Sequence, residues 1–324
     1  MGNRRQSSGD KMGLSFSASS DVQIWPDALP GEGKYGRIGK MERTDCAMKK
    51  LLYLTDLYYH AAGRRYREED LIVTEYLRNY FDIALCHPRQ SRGFEACADL
   101  IVFRNTGSVI LYQEDFDAFK QRVRENRLPI FNEFTGKGDM AGKQYLVDLT
   151  AAGFPVIPTV DRPEDMHRLP ACGGYAVKPK NGADSIGLKF LDQTQLARES
   201  FPDRNTLIQP AVDFVYEVSF YFINDTFQYA MYAPDKKRRW ELAPYAPTEE
   251  DLRFARKFID WNDIRCGIQR IDACRTKEGQ LLLMELEDLN PYLSFECLDD
   301  ATQKKFLADF NAALHEMLER EDGR

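Results

Sequence analysis

The chain has 324 residues, which at roughly 150 residues per domain indicates about two domains. Its composition, with 43% hydrophobic and 29% charged residues, is globular and excludes disordered, collagenous and fibrous proteins. The formal net charge is -7, so no general basic field attracts nucleic acid or anionic lipid, and we expect neither nucleic acid nor a membrane as a partner. The apolar runs are far shorter than the roughly 20 residues that a membrane-spanning helix needs.

Residues 1–44 lack hydrophobic periodicity, and we predict a flexible tail there. Residues 45–135 then alternate strand-like and helical patterns, which predicts an α/β domain with a small parallel sheet covered by helices. The predicted strands span residues 50–55, 82–85, 99–103 and 129–131, and the predicted helices span residues 69–80 and 115–125.

Strands dominate the second half of the chain, after a helix predicted over residues 143–152. Strands at 175–178 and 188–191 flank the sequence KPKNGADSIG, whose glycines predict a mobile hairpin tip. Two more hairpins are predicted, 215–223 with 227–232 and 268–273 with 281–285, together with helices over 248–261 and 301–318. We therefore predict a second domain of different character.

The cysteines indicate a reducing compartment. There are 7, an odd number, and they are scattered without a C-x-x-C pair in a chain with only 4 histidines. This pattern predicts neither a zinc site nor a disulfide framework, and it favours the cytoplasm.

The last hairpin carries the most informative polar residues. Because side chains alternate along a strand, residues of equal parity share one face. The charged residues of that parity are Arg270, Asp272, Glu285 and Glu287. A turn near residues 278–279 would place Asp272 opposite Glu285, and grouped carboxylates suit Mg²⁺, which prefers carboxylate and phosphate oxygens. The alternative is a solvated sheet face on which Arg270 neutralises Asp272.

The same hairpin resembles the metal-binding end of the ATP-grasp superfamily, where an Arg-x-Asp strand precedes a Glu-x-Asn strand. The matching residues are QRID at 269–272 and ELEDLNP from Glu285, with Glu287 where many members have Asn. Other segments are similar to that superfamily in the same order: Asn132 with GKQYL at 142–146, GFPVIPT from Gly153, Lys178 with the loop 181–187, LIQPAV at 207–212, and Glu217 in YEVSF. The resemblance covers about residues 100–298.

The resemblance implies an α/β domain over residues 45–135 followed by a two-lobed, α+β ATP-grasp domain. Lobe A would span 136–206, and lobe B with the final helix would span 207–324. The implied activity is that of carboxylate-amine ligases of the glutathione synthetase, RimK and cyclo-ligase type. In these enzymes ATP activates a carboxylate as an acyl phosphate, an amine attacks it, and ADP and phosphate are released.

Residue roles follow from the same resemblance. Lys143 and Lys178 would contact ATP phosphates, and Arg270 would act with Lys178 in catalysis by stabilising the acyl phosphate and the tetrahedral intermediate. The implied nucleotide-binding residues are Lys143, Lys178, Gly182, Ser185, Gly187, Gln209, Ala211 and Glu217. The implied ligands for two Mg²⁺ ions, or Mn²⁺ instead, are Asp272, Glu285, Glu287 and Asn290, and whether Glu287 or Asn290 completes the metal shell stays open.

Substrate selection is expected to fall to the amino-terminal domain and the cleft walls. Arg104 follows a predicted strand and could clamp a substrate carboxylate, and Arg239 could line an anion site; each has the alternative of a solvated surface charge. We expect small carboxylate and amine substrates of unspecified identity, and a homodimer is compatible with the sequence. The rival functions are an intramolecular cyclo-ligase, a ligase that extends a protein terminus, and an ATP-binding regulatory module without turnover.

Overall fold

The computed structural model describes residues 48–59, 66–181, 187–199, 205–239 and 241–323, which lie in one compact unit. The strands are β1 (Lys50–Leu54), β2 (Asp82–Cys86), β3 (Leu100–Phe103), β4 (Ile130–Phe131), β5 (Tyr175–Pro179), β6 (Lys189–Leu191), β7 (Thr206–Pro210), β8 (Phe214–Ile223), β9 (Thr226–Ala233), β10 (Ala243–Pro244), β11 (Ile268–Thr276) and β12 (Leu281–Glu287). The helices are α1 (Tyr66–Leu77), α2 (Gln113–Asn126), α3 (Tyr145–Ala151), α4 (Gln193–Leu196), α5 (Glu249–Asn262) and α6 (Asp300–Asp322). None of these helices, in the part of the chain so described, is long and apolar enough to cross a membrane.

The amino-terminal sheet is parallel, with strand order β2-β1-β3-β4, as the alternating pattern predicts. Its strands carry continuous apolar residues because both faces are covered. Helix α2 packs on one face through Phe116 and Phe119, and α1 and α6 pack on the other through Val73, Leu77 and residues of the long carboxy-terminal helix. The prediction of an α/β amino-terminal domain is confirmed.

A small antiparallel sheet of order β6-β5-β7 follows. The predicted division between lobes at 206/207 falls inside β7, whose residues Thr206–Pro210 pair with β5 along their whole length. Strand β7 therefore belongs to the same sheet as β5 and β6. The sequence could not show this, because the partner of an isolated apolar strand depends on contacts about 30 residues away.

The largest sheet is antiparallel, with order β10-β9-β8-β11-β12. Helices α3 and α5 cover one face of it. Helix α5 begins with a capping box, in which Thr248 accepts from the Asp251 backbone N–H and Asp251 accepts from the Thr248 backbone N–H. The other face of the sheet is free of this helical layer, and polar side chains gather there on β8, β11 and the edge strand β12.

After β12 the chain packs against the amino-terminal domain, and hydrogen bonds from that domain hold the segment that follows the strand. The guanidinium of Arg104, just after β3, donates to the Pro291 carbonyl over 3.0 Å. The Leu293 N–H donates to the carboxylate of Glu69 on α1 over 2.9 Å. These buried contacts join the parallel sheet to the segment that follows the acidic strand, so both domains contribute to the walls of the cleft between them.

Candidate active site

Three carboxylates meet on the open face of the large sheet. Asp272 on β11 lies opposite Glu285 on β12, as predicted, and Arg270 lies opposite Glu287; the register shifts between Asp272 and Ala273, and Ala273 pairs with Leu283. One oxygen from each of the three acids lies within 4.8 Å of the others. Carboxylate oxygens grouped in this way fit Mg²⁺, so the donor set suits the ion that the resemblance implies.

Arg270 neutralises part of this cluster. Its guanidinium donates to both oxygens of Asp272 at 2.9 and 2.8 Å, and to Glu287 at 2.6 Å. It also donates to the Tyr292 carbonyl over 2.9 Å. Burial opposes the charge of Arg270, but Asp272 and Glu287 hold its pKa well above the usual value. The Arg270–Asp272 pair that the alternative interpretation required is therefore present, but on the floor of a cleft rather than on a solvated sheet face.

Two lysines approach the cluster from other elements. Lys143, just before α3, and Lys178 on β5 both place Nζ 3.2 Å from the same oxygen of Glu285. Burial raises the pKa of Glu285, but the two ammonium groups outweigh that effect and lower the pKa to about 2. The ammonium groups of the two lysines predicted to contact phosphates thus pair with the same carboxylate oxygen in the cleft.

Glu287 has the opposite electrostatic environment. Burial raises its pKa, Arg270 lowers it, and the neighbouring charges of Asp272 and Glu285 raise it again, to about 8. Like charges held this close repel one another unless a cation joins them. At this end of the cluster the carboxylates outnumber the one guanidinium of Arg270. A bound divalent cation would reduce the repulsion between them.

Three residues absent from the sequence predictions support these side chains. Asp139 pairs with the Lys143 ammonium and accepts from the Tyr145 hydroxyl over 2.9 Å, and that hydroxyl accepts from the Leu286 N–H over 2.7 Å. Asp288 is fully buried and accepts from the N–H groups of Gly138 and Met140. The i, i+4 spacing of Asp139 and Lys143 was the signal that could have indicated the first of these contacts.

The close approach of Gly138 to the acidic strand leads to a stability prediction. A Cβ on residue 138 would lie 2.6 Å from the Leu286 carbonyl oxygen and 2.9 Å from a carboxylate oxygen of Asp288. Gly138→Ala is expected to lower the free energy of unfolding in urea by about 1–3 kcal/mol, because backbone must move to admit the methyl group. Gly173→Ala, where a Cβ meets nothing within 4 Å, is the matched control and should change it by less than about 0.5 kcal/mol. Equal effects would contradict this account.

The cluster lies in a cleft of about 950 Å³, whose walls include strands of both antiparallel sheets and, from the amino-terminal domain, residues of α1, of α2 and of the segment between β3 and α2. This volume lies in the range of pockets that enclose ligands of nucleotide size. The cleft is lined by these predicted site residues: Lys143, Lys178, Gln209, Ala211, Glu217, Arg239, Arg270, Asp272, Glu285, Glu287 and Asn290.

Among the predicted nucleotide-binding residues, Gln209 is buried and donates to the Thr159 hydroxyl over 2.9 Å, and the Ala211 N–H donates to the Gly174 carbonyl over 2.9 Å. Gly187 has a φ of 78°, a backbone conformation that glycine adopts without strain. Gly182 and Ser185 lie outside the described residues, as does the predicted tail over residues 1–44.

Glu217 and Arg239 form an ion pair of 2.9 Å in the cleft. The sequence prediction assigned Glu217 to the nucleotide and Arg239 to an anion site, without indicating that the two side chains touch. Asn290 lines the cleft, but its amide group donates to the Gly107 carbonyl over 3.1 Å, and the three clustered acids include Glu287. This arrangement favours Glu287 over Asn290 as the third oxygen donor.

The prediction that Arg104 clamps a substrate carboxylate is wrong in this structure. Its side chain has no exposed surface, and it forms an ion pair of 3.0 Å with Glu69, whose side chain is equally buried. Arg104 does follow a strand of the parallel sheet as predicted, but the carboxylate that it binds belongs to the protein.

Comparison with known proteins agrees with the fold. No protein-family model matches the chain, and no curated protein matches it either. Among solved structures, D-cycloserine synthetase DcsG is similar with a TM-score of 0.65 and 20% identity, over 83% of this chain and 99% of that one. D-alanine–D-alanine ligase from Bacillus anthracis, complexed with ATP, has a TM-score of 0.59 and 12% identity, over 85% and 97%. The ATP-grasp ligase PsnB, complexed with a precursor peptide and AMPPNP, has a TM-score of 0.55 and 14% identity, over 84% of this chain and 100% of that one.

The chain thus has the fold of the ATP-grasp ligases. The predicted combination of a parallel-sheet domain with two antiparallel sheets is confirmed, both by the strand order and by these structural neighbours. At these identities the similarity establishes the fold, and the activity must be argued from the residues in the cleft.

Proposed function

We propose that the protein is an ATP-dependent, ADP-forming carboxylate-amine ligase that joins amino-acid or peptide-like substrates through an acyl phosphate. The observation that carries this proposal is the meeting of three acids, one arginine and two lysines at one place in a large cleft. Phosphoryl transfer needs positioning and charge neutralisation more than it needs a reactive side chain, and this arrangement supplies both.

Lys143 and Lys178 are the residues that we assign to the nucleotide phosphates. Their ammonium groups converge on one oxygen of Glu285, so an anion placed between them meets two positive charges at once. Asp139 also pairs with the Lys143 ammonium and helps to hold that side chain in place. Gln209, Ala211 and Glu217 line the same cleft, and we assign the remainder of the nucleotide to them.

Asp272, Glu285 and Glu287 are the residues that would hold Mg²⁺, with one or two ions matching three carboxylates. When bound, such ions neutralise phosphate charge and orient the nucleotide. Arg270 is held by Asp272 and by the Tyr292 carbonyl, so its guanidinium is fixed in direction. We assign it to the negative oxygen that develops on the reacting carboxyl group, where a fixed donor is most effective.

The names of the structural neighbours support the substrate class. One neighbour is a D-alanine–D-alanine ligase, and another was solved with a precursor peptide and AMPPNP. Amino acids and peptides are therefore the first substrates to test. The cytoplasmic location and the homodimer stay predictions from the sequence.

The proposal is tested by a phosphate-release assay in which amino acids and dipeptides are offered in pairs with ATP and Mg²⁺. Release is expected to require Mg²⁺ and a suitable pair, and product mass distinguishes ligation of two molecules from cyclisation of one. Lys178→Ala should lower the rate at least about a hundredfold, because a phosphate-contacting charge is lost.

Lys189→Ala is the matched control, since Lys189 lies on the neighbouring strand β6 and pairs with Glu199 at the surface. It should leave the rate within about twofold, the equivalent of less than ~0.5 kcal/mol. Nucleotide binding without release from any pair would favour the ATP-binding regulatory module instead.

A further inference from the structure

One part of the cleft wall is apolar, in contrast to the charged floor. It is formed by Val109 and Ile110 after β3, Phe116 on α2, Met140 before α3, and Leu289 after β12, all of which line the cleft. We call this part of the wall the apolar arm. None of these five side chains belongs to the predicted nucleotide or metal site.

The apolar arm is the open edge of a hydrophobic core. Phe116 and Leu289 belong to the core between the parallel sheet and α2, and Val109 and Met140 pack against that core while also facing the cleft. Ile110 is 47% exposed at this edge. Apolar surface that a fold leaves open inside a cleft gains free energy when a hydrocarbon group covers it.

The polar side chains of α2 in the same wall have their partners elsewhere. The Lys120 ammonium lies 2.9 Å from Asp117, and the Gln113 amide donates to Asp117 over 3.0 Å. Asp117 is not among the residues that line the cleft. The Lys120 ammonium also lies 4.5 Å from the centroid of the Phe116 ring, so it borders the apolar arm while it is paired with Asp117.

The apolar arm adjoins the reaction centre. Leu289 follows Glu287 by two residues, so their Cα atoms are at most about 7 Å apart. Met140 follows Asp139, which pairs with Lys143. The amide of Asn290 donates to the Gly107 carbonyl over 3.1 Å, which ties the segment after β12 to the loop that carries Val109 and Ile110.

We propose that the apolar arm binds the hydrocarbon side chain of the carboxylate substrate while its carboxyl group lies at Arg270 and the three acids. This inference rests on the proposed ligase function and adds the substrate class: a carboxylic acid with an apolar chain of several carbons. The orientation follows from the order of groups along the wall, with charge at the end of β12 and apolar surface from Leu289 outward.

The experiment measures binding and does not require turnover. Propanoate, pentanoate and heptanoate are titrated by ligand-observed NMR against the full chain with Mg²⁺ and a non-hydrolysable ATP analogue. Affinity is expected to rise about fourfold for each added methylene until the apolar arm is filled. The polar isostere of heptanoate, 6-hydroxyhexanoate, should bind at least tenfold more weakly than heptanoate.

Ile110→Glu is the test variant, because it puts a carboxylate into the apolar arm at a half-exposed position that folding tolerates. It should abolish the dependence on chain length. Leu111→Glu is the matched control, since Leu111 is 62% exposed next to it but does not line the cleft, and it should keep the dependence.

Affinity that does not change with chain length, absence of binding by any of the three acids, or equal loss in both variants would overturn the inference. Chain-length dependence that vanishes only in Ile110→Glu, in a protein that releases no phosphate with any amine, would support the apolar arm and refute the ligase proposal. The two failures are thus distinguishable.

Discussion

Asp272→Asn is expected to reduce Mg²⁺-dependent phosphate release at least about a hundredfold. Asp272 supplies one of the three clustered oxygens and also both contacts that orient Arg270 from β11. An uncharged amide weakens both roles, and loss of several kcal/mol of charge stabilisation corresponds to factors of this size. The measurement is the initial rate as a function of Mg²⁺ concentration, in which the variant should also need more Mg²⁺ for half-saturation.

Glu278→Gln is the control for this variant. Glu278 lies at the exposed turn of the same hairpin, so its loss changes the charge of the hairpin without touching the cluster. Its rate and its Mg²⁺ dependence should match those of the unmodified protein. If Asp272→Asn kept more than a tenth of the activity at the same Mg²⁺ concentration, the three acids would not be the metal site.

Arg104→Met is expected to lower the free energy of unfolding by about 3–5 kcal/mol. The change removes the cation that faces two fully buried carboxylates, Glu69 at 3.0 Å and Asp70 at 3.8 Å, and a buried charge without a partner is strongly destabilising. Burial raises the pKa of Glu69 and Arg104 opposes that effect, so loss of Arg104 makes the charged carboxylate less favourable still. Urea unfolding measures the loss, and adding Glu69→Gln should recover part of it by removing one of the two charges.

Arg89→Met is the comparison for this prediction. Arg89 forms a salt bridge of 2.8 Å with Asp115, but both side chains are about half exposed, so its loss should cost at most about 1 kcal/mol. If the two variants were equally stable, the buried network would not be what joins α1, β3 and the segment after β12. If Arg104→Met stabilised the protein, the same conclusion would follow: the buried network would not be what joins these elements.

The buried network also bears on the cleft. Arg104 and Glu69 bind the backbone at Pro291 and Leu293, on either side of Tyr292, whose carbonyl accepts from Arg270. Arg104, which was predicted to bind substrate, therefore helps to position Arg270 indirectly. It holds the segment at Pro291, and the next residue, Tyr292, accepts the hydrogen bond from Arg270. This is why the destabilisation expected for Arg104→Met should be accompanied by lower activity at temperatures where the protein is still folded.

The sequence by itself determined the parts of this protein that depend on local pattern. The alternation of side chains and a turn near 278–279 predicted that Asp272 and Glu285 lie opposite each other on one face. The pairing is present, but it also depends on a shift of register between Asp272 and Ala273, since the strand positions next to the turn pair Ala273 with Leu283. The same reasoning predicted the parallel sheet from its apolar strands and intervening helices. Ordered short motifs then indicated the ATP-grasp fold.

Only the tertiary structure decided which charges meet across long stretches of chain. Arg104 pairs with Glu69 and not with a ligand, Glu217 pairs with Arg239, and the Asn290 amide reaches Gly107. Pairing of this kind depends on burial and on the approach of elements that are distant in sequence, which periodicity does not encode. A charged residue in a sequence is compatible with a partner in the protein, a ligand or solvent, and the free energy of desolvation, which selects among them, is set only when the domains pack.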